Sequence, residues 1–244
     1  MTRLWVIAGH GGNPYDPGSC AGGESEADLV RKLAGVMKDL APEQVELLDM
    51  SRNWYSEKLV NSDLKRRVGR DPVIELHMDA AGSGARGGHV IIKAGYQPDS
   101  YDKALANFIK SMFPGRSQVI SYRSDLANIN RAATLGINYR LLECCFITDD
   151  GDRNRFINEA PMLAAGILNV FGIYQEEKKG WLDMLSDQQQ NELYNMVKEI
   201  HAEVCSHKDP SGRGVTMPPL QQLRFMAGKQ ATILENTEKL LDRE

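Results

Sequence analysis

The fold is decided by the stretch LWVIAGHGG, residues 4–12, in which five apolar residues run directly into a glycine loop that carries a histidine. An apolar run of this length, bounded by turn residues, is typical of a buried strand. The loop extends from Gly9 to Gly23 and contains six glycines and two prolines. From Glu24 onward, apolar residues recur at spacings of three and four, which predicts an amphipathic helix that ends before Pro42.

The same alternation of strand and helix patterns continues along the chain. Short apolar or β-branched runs predict five more strands, at 45–48, 73–76, 90–92, 119–122 and 139–145. Helical patterns lie between or after these runs, at 56–68, 101–112, 129–135 and 153–171. We therefore expect an α/β fold in which a mainly parallel sheet is flanked by helices on both faces.

The character of the sequence changes after residue 173. Residues 174–180 form a charged connector that ends in glycine, and no strand pattern follows it. Residues 181–244 predict a small C-terminal helical region, in which apolar residues of the last helix recur every seven positions from Leu220 to Leu241. The predicted organisation is a domain at 1–173, the connector, and a helical hairpin that packs on itself or self-associates.

Composition and charge exclude several classes of protein. The 244 residues include 29 basic and 33 acidic side chains, a formal charge of −4, without the basic excess of nucleic-acid binders. The longest nearly uncharged apolar stretch, residues 162–173, is too short for a membrane span, which needs about 20 residues. The N-terminus lacks the apolar core and cleavage site of an export signal, so we expect synthesis in the cytoplasm.

Two histidines and a glutamate are expected at one edge of the sheet. His10 and His77 follow the ends of two predicted strands, and Glu24 opens the first predicted helix. Ligand sites of α/β sheets lie at the carboxyl ends of their strands. Two imidazoles and a carboxylate with one open position form a known catalytic zinc set. The alternatives are hydrogen-bonded loop or core histidines and a first-turn carboxylate stabilised by the helix dipole.

A further carboxylate, Glu143, lies within an apolar predicted strand. A buried carboxylate is costly and is pushed toward its neutral form unless it has a partner or a function. Accepting a proton from metal-activated water would be such a function. The alternative is a buried ion pair with Arg140 or Arg131.

Three blocks of sequence carry a resemblance to a known family. They are Gly9–Gly12 followed by Glu24, then Ile74–Ala80, and finally Leu141–Ile147. In this order they resemble the zinc-dependent N-acetylmuramoyl-L-alanine amidases of the amidase-3 type, which include phage endolysins and bacterial autolysins. The resemblance covers roughly residues 1–173.

The resemblance implies a ligand set, a base and a reaction. His10, Glu24 and His77 would hold one Zn²⁺ per chain, and Glu143 would activate water. The implied reaction is hydrolysis of the amide between N-acetylmuramic acid and L-alanine, with peptidoglycan as the partner and lysis of the bacterial cell wall as the outcome. His89 stands outside this metal set, and its role is not assigned.

Alternatives to this function remain open at the level of sequence. The same ligands would serve a zinc peptidase or amidase acting on another amide, because specificity lies in the loops around a site. A wall-binding module that lost catalysis is a second alternative. The expected absence of an export signal favours a phage endolysin that is made in the host cytoplasm and acts on the wall after release. Wall targeting is then a further role for residues 181–244.

Overall fold

The computed structural model describes residues 3–173 and the isolated position Asn195. These residues, apart from Asn195, belong to the first of two units into which the chain divides, Met1–Gln175. The predicted connector at 174–180 and the rest of the predicted helical region at 181–244 lie outside the described residues, so both stay predictions.

Within residues 3–173, six strands form the central sheet and two short strands form a separate hairpin. In chain order the strands are β1 (Leu4–Ala8), β2 (Cys20–Ala21), β3 (Glu24–Ser25), β4 (Val45–Leu47), β5 (Val73–Asp79), β6 (His89–Lys93), β7 (Ile120–Arg123) and β8 (Tyr139–Phe146). The central order is β4-β1-β5-β8-β6-β7, and its pairs are parallel except for β6 with β8. The mainly parallel sheet predicted from the sequence is confirmed.

Helices cover both faces of this sheet. In chain order they are α1 (Glu26–Leu40), α2 (Ser62–Val68), α3 (Ser100–Met112), α4 (Ala127–Leu135), α5 (Asp150–Asn158) and α6 (Ala160–Val170). Apolar residues of α1, α3 and α6 share the largest core with one face, while those of α2 and α4 pack on the other. Among the described residues, no helix is long and apolar enough to cross a membrane.

Two helix predictions differ from the structure at their ends. The helix predicted at 56–68 begins only at Ser62, because the Asn61 side chain caps it by accepting two backbone N–H bonds. The helix predicted at 153–171 is two helices, α5 and α6. Pro161 lies in the first turn of α6, where its missing N–H costs no helical hydrogen bond.

The sheet brings together the ends of three neighbouring parallel strands, β1, β5 and β8. Ala8, the last residue of β1, pairs with Leu76 of β5. One step further along β5, His77 pairs with Glu143 of β8. Because residues directly opposite each other in a sheet point to the same face, the side chains of His77 and Glu143 lie on one face at this edge.

Candidate metal centre

Three side chains from three parts of the chain converge at the edge of the sheet. His10 lies in the loop after β1, Glu26 is the first residue of α1, and His77 lies within β5. One possible ligand atom from each lies within 4.8 Å of the others. Glu26 Oε1 is 3.2 Å from His10 Nε2 and 2.9 Å from His77 Nδ1.

The carboxylate of this cluster is Glu26 and not Glu24, which corrects the expectation from the sequence. Glu24 lies in β3, before the helix, and its carboxylate is 3.6 Å from the Lys32 ammonium group at the surface. The reason is the helix cap: Ser25 Oγ accepts a hydrogen bond from Asp28 N, so α1 begins at Glu26. A serine followed three residues later by an acidic side chain was the sequence signal for this start.

Backbone groups hold the Glu26 carboxylate in place. Its Oε1 accepts a hydrogen bond from Met78 N at 3.0 Å, and its Oε2 accepts one from Ser19 N at 3.0 Å. Burial alone would raise the pKa of Glu26, but its hydrogen bonds with His10 and His77 outweigh burial and hold the pKa well below the usual range. Glu26 is therefore expected to be ionised at neutral pH, the form in which a carboxylate can bind a metal ion.

Two glycines lie so close to the cluster that a side chain at either position would clash with it. A Cβ atom added at Gly9 would lie 2.4 Å from the nearest atom of the His77 ring. One added at Gly18 would lie 2.7 Å from Glu26 Oε2. His10 itself has φ of +59°, a left-handed conformation that is uncommon for a residue other than glycine and that often occurs at functional sites.

Each imidazole uses its second nitrogen to contact a further carboxylate. His10 Nδ1 is 2.9 Å from Asp16 Oδ2, and His77 Nε2 is 3.2 Å from Glu75 Oε1. The sequence analysis singled out neither acid. A signal existed for Glu75, because it precedes His77 by two residues in one strand and therefore shares its face.

The charges of the site suit a divalent cation. Burial lowers the pKa of His10 and of His77, but hydrogen bonds with Glu26, and with Glu75 for His77, outweigh burial and raise both values. The same carboxylates that favour a proton on each imidazole also favour a metal ion there. Two imidazole nitrogens and one carboxylate oxygen are the ligand set of one class of catalytic zinc site, so these residues fit a zinc ion.

Glu143 lies opposite His77 in the register and is partly exposed, although its Oε2 atom is fully buried. Within residues 3–173, Oε2 has no hydrogen-bond partner. Burial raises the pKa of Glu143 to about 7. The expected alternative of an ion pair is contradicted, because Arg140 pairs with Asp102 at 2.8 Å and Arg131 donates to an amide oxygen of its own helix.

His89 lies on the other side of Glu143, opposite it in the antiparallel pair of β6 and β8. The residue is 4% exposed, and its Nδ1 has no hydrogen-bond partner among the described residues. Burial, followed by the charges of Arg116 and Arg123, lowers the pKa of His89 to about 4. His89 is therefore neutral at pH 7 and does not join the cluster of possible metal ligands.

A cleft of about 260 Å³ opens beside the two clustered histidines. The loop that carries Tyr55 and the start of α4 contribute to its lining. Most of its surface is apolar, with Leu126, Ile129 and Leu141 among the lining residues. Tyr55 is 61% exposed, so it is available to a bound molecule.

Known proteins match the part of the chain that the structure describes. The sequence profile of the N-acetylmuramoyl-L-alanine amidase family matches residues 4–173. The chain is 35% identical over 167 residues to the probable autolysin PH of Staphylococcus aureus, a match that covers 62% of this chain. It spans about a third of that relative, since the match covers 34% of the autolysin.

Solved structures share the fold. An N-acetylmuramoyl-L-alanine amidase from Clostridium difficile 630 superposes with a TM-score of 0.57 at 20% identity, covering 72% of this chain and 98% of the other. The catalytic domain of the CD27L endolysin, which targets Clostridium difficile, gives a TM-score of 0.55 at 18% identity, covering 69% of this chain and 98% of that domain. At these identities the likeness concerns the fold alone.

Proposed function

Since the chain belongs to the N-acetylmuramoyl-L-alanine amidase family, we propose that it hydrolyses the amide bond between N-acetylmuramic acid and L-alanine in peptidoglycan. One observation carries this proposal beyond the family match. His10, Glu26 and His77 form a cluster suited to a metal ion, and a carboxylate with a raised pKa lies opposite His77. Hydrolysis of an amide by activated water needs these two parts.

The metal in this proposal is one zinc ion per chain. His10 would bind it through Nε2, His77 through Nδ1, and Glu26 through a carboxylate oxygen, because these atoms face one another. When bound, zinc supplies Lewis-acid chemistry, which polarises a carbonyl group and lowers the pKa of water toward neutrality. Three protein ligands leave a fourth position open for water or substrate.

Glu143 is the proposed general base and acid. The Glu143 side chain is partly exposed, so its carboxylate would accept a proton from the attacking water and then pass that proton to the leaving amine nitrogen. A pKa of about 7 allows the group to exist in both forms near neutral pH. Neutral His89 on the neighbouring strand adds no positive charge that would lower this pKa.

The cleft beside the histidines is the proposed position of the substrate. Its lining includes both histidines, so a molecule bound there meets the metal ligands directly. The apolar walls exclude water from the groups that react, which strengthens electrostatic interactions in the site. Action on bacterial cell walls is the outcome that membership of the amidase family supports.

The test combines metal content with release of dye from labelled cell walls, using the full chain. Wild type should hold about one zinc per chain, and Glu26→Gln and His77→Ala should lose it. Glu143→Gln should keep the zinc and lose at least about 100-fold in rate, since proton transfer contributes about that much. Glu24→Gln is the matched control and should keep both zinc and activity.

The opposite results identify which part of the proposal fails. Zinc lost in Glu24→Gln but kept in Glu26→Gln would contradict the ligand assignment. Normal wall hydrolysis by Glu143→Gln would contradict its role as base. Activity on stem peptides that lack muramic acid, equal to that on walls, would replace the proposed substrate with another amide, and zinc binding without any hydrolysis would indicate a binding module.

A further inference from the structure

Glu75 is a buried carboxylate that the proposed reaction does not use. It lies on β5, is 2% exposed, and forms part of the cleft wall. Among the described residues, its side-chain partners are His77 Nε2 at 3.2 Å and Asn128 Nδ2, which lies 3.2 Å from both carboxylate oxygens. A carboxylate in an apolar strand is costly unless a function keeps it there.

The contacts of Glu75 continue outward as a chain of hydrogen bonds. Asn128 Oδ1 accepts a bond from Arg131 Nη1 at 3.0 Å. Arg131 Nη1 also donates to the backbone oxygen of Tyr55 at 3.3 Å. The chain therefore runs from His77 through three side chains to the loop that carries Tyr55, a residue that also lines the cleft.

A second chain of the same kind starts from His10. Its Nδ1 contacts Asp16, which accepts a hydrogen bond from Asn53 Nδ2 at 3.0 Å. Asn53 Oδ1 accepts bonds from Tyr55 N at 3.1 Å and from Ser56 N at 2.9 Å. Both histidines are thus linked to the loop that carries Tyr55. Each chain includes a carboxylate and an asparagine, and Arg131 completes the chain from His77.

From this geometry we propose that Glu75, supported by Asn128 and Arg131, is the positioning residue that holds His77 as an Nδ1 ligand and ties the metal centre to the Tyr55 loop. Without metal, Nδ1 donates to Glu26 and Nε2 donates to Glu75; once a metal ion takes the place of the proton on Nδ1, the hydrogen bond from Nε2–H to Glu75 would hold the tautomer that leaves the Nδ1 lone pair for the metal. An ionised partner also makes the imidazole a stronger ligand. The inference rests on the metal site of the proposed function and extends it to residues outside the ligand set.

The charge of Glu75 is the property to test. Glu75→Gln keeps the size of the side chain and an oxygen that can accept the Nε2–H bond, but it removes the negative charge. We expect the zinc dissociation constant of the full chain to rise about 10- to 100-fold, measured by competition with a chromophoric chelator. Asp16→Asn should weaken binding in a similar way, and Glu24→Gln should leave it unchanged.

The tautomer gives a readout that a merely structural role would not move. In ¹⁵N-labelled, zinc-loaded wild type, His77 should carry its proton on Nε2 and show a coordinated Nδ1, with the ring signals assigned through their correlations to the His77 backbone. A proton on Nδ1 would overturn the proposal. So would zinc affinity within twofold of wild type in a folded Glu75→Gln variant.

A double-mutant cycle tests the rest of the chain. Arg131→Gln should weaken zinc binding several-fold in wild type and have little further effect in Glu75→Gln, because coupled partners are not additive. If Glu75→Gln does not fold, Asn128→Ala takes its place and should weaken zinc binding, with unchanged affinity counting against the proposal. A wild type that binds no zinc would instead contradict the proposed function, so the two failures are distinguishable.

Discussion

Glu143 has the same charge as Glu26 but the opposite response to its surroundings. Glu26 accepts two backbone hydrogen bonds and contacts two imidazoles, so its pKa falls in spite of burial. Glu143 has no partner for Oε2 among the described residues, and burial raises its pKa to about 7. Two carboxylates whose pKa values diverge are typical of a ligand and a proton-transfer group in one site.

The raised pKa of Glu143 predicts that the free energy of unfolding of the metal-free protein falls as the pH rises. Because the folded pKa lies above the ordinary value of 4.5, its stabilising contribution is complete below pH 4.5 and is lost as pH rises through 7. In chelator, the free energy of unfolding of Glu143→Gln should match that of wild type at pH 4 and exceed it by up to about 3 kcal/mol at pH 8.5. Urea unfolding at both pH values measures this, and a difference that does not change with pH would contradict it.

The close contact between Gly9 and the His77 ring predicts that a single substitution at Gly9 weakens zinc binding. In Gly9→Ala the new methyl group would lie 2.4 Å from the His77 ring, so the ring must move out of its position. We expect zinc affinity to fall by at least about tenfold, since ligand orientation contributes that much to metal sites. Gly35→Ala is the control, because a Cβ at Gly35 meets no atom within 4 Å; equal zinc affinity in the two variants would contradict the effect.

Among the elements, α1 has the largest effect on the geometry of the candidate metal centre. Its buried face packs in the main core, and its first residue is the proposed ligand Glu26. Ser25 therefore has two roles, as the cap that starts the helix and as the residue that fixes where the carboxylate leaves the chain.

Loss of this cap should be measurable. Ser25→Ala should lower the free energy of unfolding by about 1 kcal/mol, as expected for a helix cap, and should weaken zinc binding because Glu26 follows it directly. The control is Ser100→Ala at the start of α3, where Asp99 forms the cap, with an expected change within about 0.5 kcal/mol. Equal effects of the two substitutions in chemical unfolding and chelator competition would count against a special role for Ser25.

The elements also show which features of the fold the sequence patterns predict. The apolar runs predicted each strand of the central sheet to within a few residues, because a buried strand leaves a local pattern. Helix starts were less well predicted, as at Glu26 and Ser62, because each depends on a single capping side chain. The reversed direction of β6 against β8 depends on long-range pairing and has no local pattern.

For the whole molecule, the residues up to 173 form an apolar core of their own. Helix α6 packs against α1, with Leu163, Ile167 and Leu168 fully buried. Phe171 belongs to the same hydrophobic core. The three proposed ligands also lie within this unit, on separate elements. Zinc would therefore join parts of one folded unit.

This arrangement predicts that residues 1–175 fold and bind zinc without the remainder of the chain. The truncated protein should unfold cooperatively, and free zinc at 100 times its dissociation constant should add about 2.7 kcal/mol to the free energy of unfolding. Chelator should remove this increment, and His77→Ala should lack it. A truncated protein with no cooperative transition would contradict the predicted domain boundary.

The sequence by itself determined the α/β class, the order of the main elements, and three residues of the candidate site, His10, His77 and Glu143. The class and the order follow from local periodicity, and the three residues stand in the three blocks that carry the family resemblance. Only the tertiary structure decided that Glu26 rather than Glu24 meets the histidines, and that Asn128 contacts Glu75. Those contacts depend on where a helix cap forms and on packing between segments about fifty residues apart, and neither leaves a periodic pattern in the chain.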